Sequence, residues 1–355
     1  MNFFSDDPKE QAGIMLAFCA IALYVSGRVL TATLTARSDD VWKRAVGQWL
    51  PIAVTTLAAV LLGEPAAAMG VIFATSVGSL SLVVGVIAMY RSAHPDDLPP
   101  PRWSLFIVPA CLLAWLVGFR THLSEIIALL LLAQGLMIWW TGRGGGGSVP
   151  SAESEQTPPE ATGFRTLEIV LAIALAGVGA WAGLRGSQGW TSGRAMPVSL
   201  FAATFLGPVL LLPAIGASPV LAQRGRTNEA VSQQVLVVLL NLLLLLPLST
   251  FAWQGTQAIA QRISASKIIP TPPTTTPATT QAVGQLGLLS ADSVTQTGLP
   301  YPPSVWRVDA LLLVLLSVAI VPILLGRWKL GGVEAFLLLT LYVAYVGFTA
   351  VSSIR

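Results

Sequence analysis

Residues 211–247 read LLPAIGASPVLAQRGRTNEAVSQQVLVVLLNLLLLLP, and this stretch decides the fold. Two apolar segments flank the polar segment QRGRTNE. A helix needs about 20 mostly apolar residues to cross a bilayer, and each segment has that length when its neighbouring apolar residues are included. Pro213 and Pro219 interrupt the first segment, and proline inside an apolar helix marks a kink or a break. The stretch therefore predicts a hairpin of two membrane helices.

The composition of the whole chain is also strongly apolar. Of its 355 residues, 54% are apolar and only 10% are charged. A soluble protein of this length could not bury so much apolar surface, whereas a lipid bilayer removes that difficulty. The net charge of +3 comes from basic residues that stand singly between apolar runs. We therefore expect the lipid bilayer as the surrounding partner and no nucleic-acid partner.

Hydrophobic stretches of spanning length predict an all-α polytopic membrane protein with about ten transmembrane helices. The ten stretches are 11–33, 47–63, 68–90, 103–119, 123–141, 165–184, 197–222, 230–252, 307–326 and 331–351. Lysines and arginines are more frequent in the loops that face the cytoplasm when both termini lie outside. We expect an integral protein of the inner or plasma membrane with that orientation.

Two segments are predicted to lie outside the membrane. Residues 142–163 are rich in Gly, Ser, Pro and Glu without periodicity, which is typical of a flexible cytoplasmic linker. Residues 254–305 form a long outer loop that contains the extended stretch PTPPTTTPATT. The loop is interpreted either as a disordered spacer or as a docking arm for a membrane-protein partner.

The two halves of the chain match each other. An offset of 158 residues lays Glu10 on Glu168 and, without a gap, lays the second and third spans on the seventh and eighth. Each half, 1–141 and 164–355, has five spans. Because five is odd, the second half must enter the membrane from the opposite side, which predicts two inverted five-helix repeats. Many secondary transporters have this architecture and bind their substrate near the midplane.

Several short motifs in the two hairpins resemble the sequence motif of a known family. The motif of the sodium/calcium exchanger family (the wider cation/calcium exchanger group) reads approximately T-S-L-P-E in one helix and G-N-x-x-G-S-N-x-x-N in the next. Pro213 and Asn241 match this pattern in the second hairpin, and Gly78 and Ser79 match its Gly-Ser in the first. The loop QRGRTNEAV and the closing span GGVEAFLLLTLYVAYV are also similar to that family. The resemblance implies a sodium/calcium exchanger-like fold and cation antiport.

The resemblance also implies a site, and the chain departs from it. In the family, one glutamate from each hairpin coordinates the cation, whereas Thr56 and Ala214 stand at those positions here. The predicted ion pathway consists of Thr55, Thr56, Ser79 and Asn241. Calcium prefers six to eight oxygen ligands that include carboxylates, so this set predicts no metal-binding centre of the calcium type. It would suit sodium, a proton-coupled or neutral substrate, or no substrate.

Two functions remain open. The first is a secondary transporter with an altered ion site, for which sodium or calcium ions would be substrates and no cofactor is needed. The second is a non-transporting scaffold or complex subunit that retains the fold. No residue pattern indicates catalysis. Glu64 is expected to be a solvated loop acid, and Asp309 is interpreted as a partner of Arg307 at the membrane interface.

Overall fold

A computed structural model describes residues 8–35, 40–90, 102–119, 122–144, 162–191, 197–266, 298–300, 305–325 and 327–352. Within these ranges the chain forms ten helices and one short antiparallel sheet. The first five helices are α1 (Pro8–Thr35), α2 (Val41–Leu61), α3 (Pro65–Gly78, Ser79–Val83 and Val84–Tyr90), α4 (Arg102–Phe106 and Ile107–Val117) and α5 (Glu125–Gly144).

The second half has the same order of elements. Its helices are α6 (Thr162–Thr191), α7 (Val198–Phe201, Ala202–Leu206 and Gly207–Gln223), α8 (Thr227–Leu240, Asn241–Leu245 and Leu246–Ser266), α9 (Val305–Ala310 and Leu311–Leu324) and α10 (Gly332–Ser352). The middle segments of α3, α7 and α8 and the first segment of α9 are π-helical turns. Strand β1 (His122–Leu123) pairs with β2 (Leu299–Pro300).

The helices have the length and surface of membrane spans. Eight of those in the described ranges are long and apolar enough to cross a bilayer, and α4 and α5 contain the shorter apolar stretches Trp103–Val117 and Glu125–Trp140. Large apolar side chains such as Ile126, Trp140 and Val343 are exposed on the outside of the bundle. Such a surface is stable in lipid and not in water. The prediction of an all-α integral membrane protein is confirmed.

The first helices of the two halves run antiparallel along each other. Ser26 Oγ donates to the carbonyl oxygen of Ala172 at 2.7 Å. Towards the other end of this contact, a Cβ added at Gly183 would lie 2.6 Å from Cys19 Sγ. Residue numbers rise along α1 as they fall along α6, so the two helices cross the membrane in opposite directions. This geometry agrees with the inverted repeat predicted from the odd number of spans.

The hairpins α2–α3 and α7–α8 are closed by the same turn. Gly63 and Gly225 both have φ near 82°, a left-handed conformation that favours glycine. In each loop the amide of the next residue bonds back to a carbonyl five residues earlier, at 2.8 and 3.0 Å. This is the Schellman arrangement that ends a helix. The two loops are therefore equivalent, and they lie 162 residues apart.

The offset of 162 residues also relates Pro51 to Pro213, which both lie inside helices, and the π-helical turns that begin at Ser79 and Asn241. The gapless offset of 158 predicted for these spans is therefore wrong by one helical turn. The extra residues are accommodated in α7, which is longer than α2 and includes the π-helical turn Ala202–Leu206. Apolar residues match one another at either offset, so their pattern could not reveal the insertion.

Some predicted boundaries also differ from the structure. Helix α8 continues to Ser266, so residues 254–266, which were assigned to the outer loop, are helical. Apart from 298–300 and 305, the rest of that predicted loop lies outside the described residues, as does the proposed docking arm. Helix α5 ends at Gly144 and α6 begins at Thr162, so nearly all of the predicted linker 142–163 lies outside the described residues as well.

Helices α2, α3, α7 and α8 form the centre of the bundle, and α3 is the most enclosed. In its spanning segment 89% of the residues are buried, compared with 22% in α10. Gly70 allows α7 to approach closely, because a Cβ at this position would lie 2.5 Å from the carbonyl oxygen of Ser199. The residues of any central site must therefore come from these four helices.

Candidate functional site

The predicted pathway residues all lie on the central helices. Thr55 and Thr56 are on α2, Ser79 is on α3, and Asn241 is on α8. Each of the four is fully buried. Their polar atoms are therefore shielded from solvent in this conformation, and each must find a partner inside the bundle or remain unpaired.

Asn241 joins α8 to α3. Its Nδ2 donates to Thr75 Oγ1 and to Ser76 Oγ, both at 3.1 Å. Both hydroxyls in turn donate to carbonyl oxygens one turn earlier in α3, at 2.7 Å. Among the described residues, Asn241 Oδ1 has no hydrogen-bond partner. The Asn241 side chain thus presents one free carbonyl oxygen at the centre of the protein.

The sequence analysis missed Thr75 and Ser76. They stand one helical turn before Ser79, and residues four apart share a helix face, so Thr75 and Ser79 lie on the same side of α3. The signal was present as two adjacent hydroxyl residues inside an otherwise apolar span. The partnership with Asn241 could be recognised only after α3 and α8 had been placed against each other.

Ser79 lacks the contacts that Asn241 makes. The two residues are equivalent under the offset of 162, and each begins a π-helical turn. The positions equivalent to Thr75 and Ser76 hold Val237 and Val238, which cannot hydrogen-bond through their side chains. Consistent with this, Ser79 Oγ makes no hydrogen bond to any residue that the structure describes.

The two threonines of α2 also differ in whether their hydroxyl groups are hydrogen-bonded. Thr55 Oγ1 donates to the carbonyl oxygen of Pro51 at 2.8 Å, so its proton is used within the helix. Thr56 Oγ1 is without a partner in the described ranges. Its equivalent in the second half is Ser218, whose hydroxyl accepts a hydrogen bond from Gln234 Nε2 at 3.2 Å. The position equivalent to Gln234 is Ile72, which explains why Thr56 lacks such a bond.

A polar stripe follows α8 from its beginning to Asn241. Thr227, Gln234 and Asn241 are seven residues apart, or about 10 Å along a helix, and all three are fully buried. Gln234 Nε2 also donates to Gln48 Oε1 of α2 at 3.1 Å. Residues at this spacing lie on one helix face. We call Thr227, Gln234 and Asn241 the α8 stripe.

Charged residues stand at the beginning of this stripe. Glu229 contacts the buried Arg44 of α2 at 2.9 Å and also pairs with Arg226. Twelve residues separate Glu229 from Asn241, or about 18 Å along the helix. The opposite end of the bundle differs, because the positions in α3 that correspond to Glu229 and Gln234 hold Ala67 and Ile72. The face of α8 is therefore polar at one end of the centre, whereas the equivalent face of α3 at the other end is apolar up to the loop acid Glu64, which accepts a hydrogen bond from Gln188 at 3.0 Å.

The corrected register also changes which residues stand at the positions of the family's glutamates. Because Pro51 corresponds to Pro213, the residues that follow these prolines are Ile52 and Ala214, both buried. Thr56 lies one turn further along α2 and was misaligned. Within the described residues, no group of three or more His, Cys, Asp or Glu side chains could hold a metal ion. The unpaired oxygens of Asn241, Ser79 and Thr56 are amide and hydroxyl oxygens and are therefore neutral.

Asp309 does not lie where the sequence predicted. It was expected to pair with Arg307 at the interface, but only 3% of Asp309 is exposed. Its carboxyl group faces the hydroxyl group of Tyr345 on α10. Arg307, two residues earlier, is exposed. The turn Val305–Ala310 directs Asp309 towards the bundle, so the predicted pairing with Arg307 is wrong, whereas Asp309 does lie near one end of the spanning segment Arg307–Leu324.

Comparison with known proteins identifies the fold. No protein-family model and no curated protein matches the chain by sequence. A crystal structure of an H+/Ca2+ exchanger, CAX, has a TM-score of 0.67 at 15% identity, covering 97% of this chain and 85% of that one. The sodium-calcium exchanger NCX_Mj soaked with 10 mM Na+ and 10 mM Sr2+ has a TM-score of 0.59 at 16% identity, covering 97% of this chain and 99% of that one. The same exchanger soaked with 2.5 mM Na+ and 0.1 mM Ca2+ has a TM-score of 0.58 at 16% identity, covering 97% of this chain and 98% of that one. The chain therefore has the fold of the sodium/calcium exchangers.

Proposed function

We propose that this protein is a cation antiporter of the exchanger fold, with a central site that takes a monovalent cation, sodium, rather than calcium. The observation that carries the proposal is a set of buried oxygens without hydrogen-bond partners among the described residues: Asn241 Oδ1, Ser79 Oγ and Thr56 Oγ1. All three belong to the four central helices. The neighbours of known structure are a sodium-calcium exchanger and an H+/Ca2+ exchanger.

The free-energy cost of unpaired oxygens supports ion binding. Leaving a buried polar group unsatisfied costs about 1–3 kcal/mol, and native proteins retain few such groups. A cation coordinated by one of these oxygens would remove the cost of leaving it unpaired. The amide nitrogen of Asn241 has a structural role, because it joins α8 to α3, whereas its unpaired oxygen has none. The unpaired oxygen of Asn241 therefore favours a transporter over the scaffold alternative.

The neutrality of the oxygens favours a monovalent ion. Calcium takes six to eight oxygen ligands, usually with carboxylates that offset the cost of dehydration. The two positions that follow Pro51 and Pro213 hold Ile52 and Ala214, which supply no carboxylate. Sodium carries half the charge and loses less hydration energy, so hydroxyl, amide and backbone oxygens are better suited to it. Ser79 and Asn241 each begin a π-helical turn, a feature that is frequent at functional sites.

The α8 stripe supports a route to the site. It leads from the charged end at Arg44 and Glu229 to Asn241 through polar side chains, whereas the equivalent face of α3 is apolar up to the loop acid Glu64. In transporters with inverted repeats, one half rocks against the other and exposes a midplane site to each side in turn. The excess of lysine and arginine in alternate loops supports an orientation with both termini outside. We therefore propose that the charged end faces the cytoplasm.

The experiment is sodium exchange in proteoliposomes. Purified protein is reconstituted, the vesicles are loaded with unlabelled sodium, and uptake of radioactive sodium is followed; radioactive calcium is measured in parallel. We expect sodium uptake well above that of empty liposomes and no calcium uptake. Asn241→Leu removes the central amide at similar volume and should lower sodium uptake at least about tenfold. Ser317→Ala, which removes a buried hydroxyl from α9, is the matched control and should behave like the wild type.

Three results would contradict the proposal. Folded wild-type protein that takes up no sodium would exclude sodium exchange. Calcium uptake faster than sodium uptake would exclude a monovalent site. Sodium uptake by Asn241→Leu at the wild-type rate would show that Asn241 is not part of the ion pathway. A thermal unfolding transition, recorded for each variant, separates loss of function from loss of fold.

A further inference from the structure

Asp309 is a carboxylic acid inside the membrane domain. It lies in the π-helical turn Val305–Ala310 at the beginning of α9, and this turn packs against α3 and α4. The carboxyl group faces Tyr345, which is seven residues, or about 10 Å, from the last residue of α10. Asp309 is the third residue of the spanning segment Arg307–Leu324, so it lies near one end of the span and is nevertheless buried in the bundle. Acidic side chains are almost never fully buried unless they are paired, so this buried acid requires an explanation.

A short series of side chains connects Asp309 to the central site. The rings of Tyr345 and Tyr342 have their centroids 6.2 Å apart. Tyr342 Cε2 lies 3.2 Å from the position that a Cβ of Gly78 would take, and the next residue along α3 is Ser79. Tyr342 thus packs directly against the turn that carries the first half of the proposed ion site.

No positive charge balances Asp309 among the described residues. Its own turn contributes Arg307, which is exposed. Helix α3 has no ionisable side chain from Pro65 to Met89. The Asp309 turn packs against the α4 segment Ile107–Val117, whose one ionisable side chain is Cys111, which faces Ser317. Arg102 belongs to the preceding segment of α4. Helix α10 contributes Tyr342 and Tyr345, with Glu334 in its first turn, and the hydroxyl of Tyr345 makes no hydrogen bond to any residue that the structure describes. An ionised carboxylate without a counter-ion in apolar surroundings is costly, so the group must acquire a proton or a cation.

The surroundings favour a proton. A metal ion requires several oxygen ligands, whereas Asp309 has one tyrosine hydroxyl beside it, and no group of three or more metal-binding side chains occurs in the described part of the chain. A proton requires only one carboxylate oxygen. An ionised carboxylate at this position would accept a hydrogen bond from the Tyr345 hydroxyl group, and the protonated acid would donate one to the same oxygen.

We propose that Asp309 is a proton-binding site and that the proton it holds is the ion exchanged for the central cation. The proton step forms one O–H bond at the Asp309 carboxylate and, in reverse, delivers the proton to water. A cation at the Ser79 side of the centre favours the ionised carboxylate, so cation binding and proton release are linked reciprocally. The coupling rests on the proposed function, whereas proton binding by Asp309 does not.

Infrared titration tests proton binding without any transport. The carbonyl stretch of a protonated carboxylic acid is recorded on purified protein in lipid nanodiscs as the pH is raised. We expect a band that disappears over a defined pH range in the wild type and is absent in Asp309→Asn. Glu10→Gln, which changes an exposed acid, is the control and should retain the band. Tyr345→Phe leaves the carboxyl group in place and should move the midpoint of the titration.

The outcomes separate the two proposals. A wild-type spectrum without such a band, a band that persists in Asp309→Asn, or one that never titrates would overturn proton binding. Coupling is tested by adding sodium chloride to the weakly buffered protein with a pH indicator: the wild type should release protons and Asp309→Asn should not. Equal release by both would overturn the coupling. If wild-type vesicles exchange no sodium but the band titrates and requires Asp309, the proposed function fails and the proton site stands.

Discussion

Ser79 and Asn241 occupy equivalent positions in the two inverted halves, yet only Asn241 hydrogen-bonds across the centre. Each residue begins a π-helical turn, and they are 162 residues apart. Asn241 reaches Thr75 and Ser76, whereas the corresponding positions opposite Ser79 hold Val237 and Val238. The pseudo-symmetry of the fold thus contains an asymmetric site. The following predictions use this asymmetry or the packing that supports it.

A hydroxyl group at position 237, which is equivalent to Thr75, should strengthen cation binding. Val237→Thr places the equivalent of Thr75 in the second half at almost unchanged volume. One additional oxygen at the site is worth about 1 kcal/mol, which corresponds to roughly fivefold tighter sodium binding. The measurement is the sodium concentration that gives half-maximal uptake. The gain should disappear when Ser79→Ala is combined with it, and an equal gain in the double variant would show that Ser79 is not involved.

Carboxylates at the two positions after the equivalent prolines should create calcium binding. We expect Ile52→Glu combined with Ala214→Glu to unfold at a lower temperature than the wild type without calcium, because buried unpaired charges are destabilising. Calcium should then raise its unfolding temperature, whereas the wild type should not respond. Moving the first acid by one residue, as in Ala53→Glu with Ala214→Glu, is the control and should show no calcium response. A response in both variants would argue against the register.

The two ends of the centre should differ in water access. In a background with Cys19→Ala and Cys111→Ala, we introduce Gln234→Cys on the α8 stripe and Ile72→Cys at the equivalent position of α3. A membrane-impermeant thiol reagent should modify the cysteine at 234 and leave the one at 72 unmodified, because only the first adjoins polar side chains. Mass spectrometry of the modified protein is the readout. Equal modification of both positions would contradict a polar route at one end.

The contact between α3 and α7 should not tolerate a methyl group at Gly70. A Cβ there would lie 2.5 Å from a backbone oxygen of Ser199, which cannot move aside as a side chain would. We expect Gly70→Ala to destabilise the protein by about 1–3 kcal/mol. Gly13→Ala is the matched control, since a Cβ at position 13 has no neighbour within 4 Å. Thermal unfolding in the same detergent compares the two, and equal unfolding temperatures would refute the close approach.

The ion cluster at the beginning of α8 should contribute to stability. Glu229→Gln removes the carboxylate that the buried Arg44 contacts at 2.9 Å. Because Arg44 is buried and Glu229 is partly exposed, we expect a loss of about 2 kcal/mol, between the values for exposed and buried pairs. Arg226→Gln removes the more exposed partner and should cost less. The unfolding temperatures of the two variants test which substitution costs more stability. A larger loss of stability for Arg226→Gln would contradict the prediction.

Several features followed from the sequence alone. Apolar stretches of spanning length with few charges can be stable only in a bilayer, so the membrane class and the helical fold were predictable. The odd number of spans in each half required the inverted repeat. The second hairpin could be recognised because Pro213, the glycine-containing loop and Asn241 are distinctive residues among leucines.

Tertiary structure alone decided the register of the halves and the partners of the buried polar groups. Leucine and valine match one another at an offset of 158 or 162, and only the left-handed glycines, the prolines and the π-helical turns distinguish the two. Thr75 and Ser76 became partners of Asn241 when α8 packed against α3, and Asp309 became a buried acid when its turn faced α10. A sequence determines which faces are apolar, whereas the direction and depth of a polar side chain depend on the helix that packs against it.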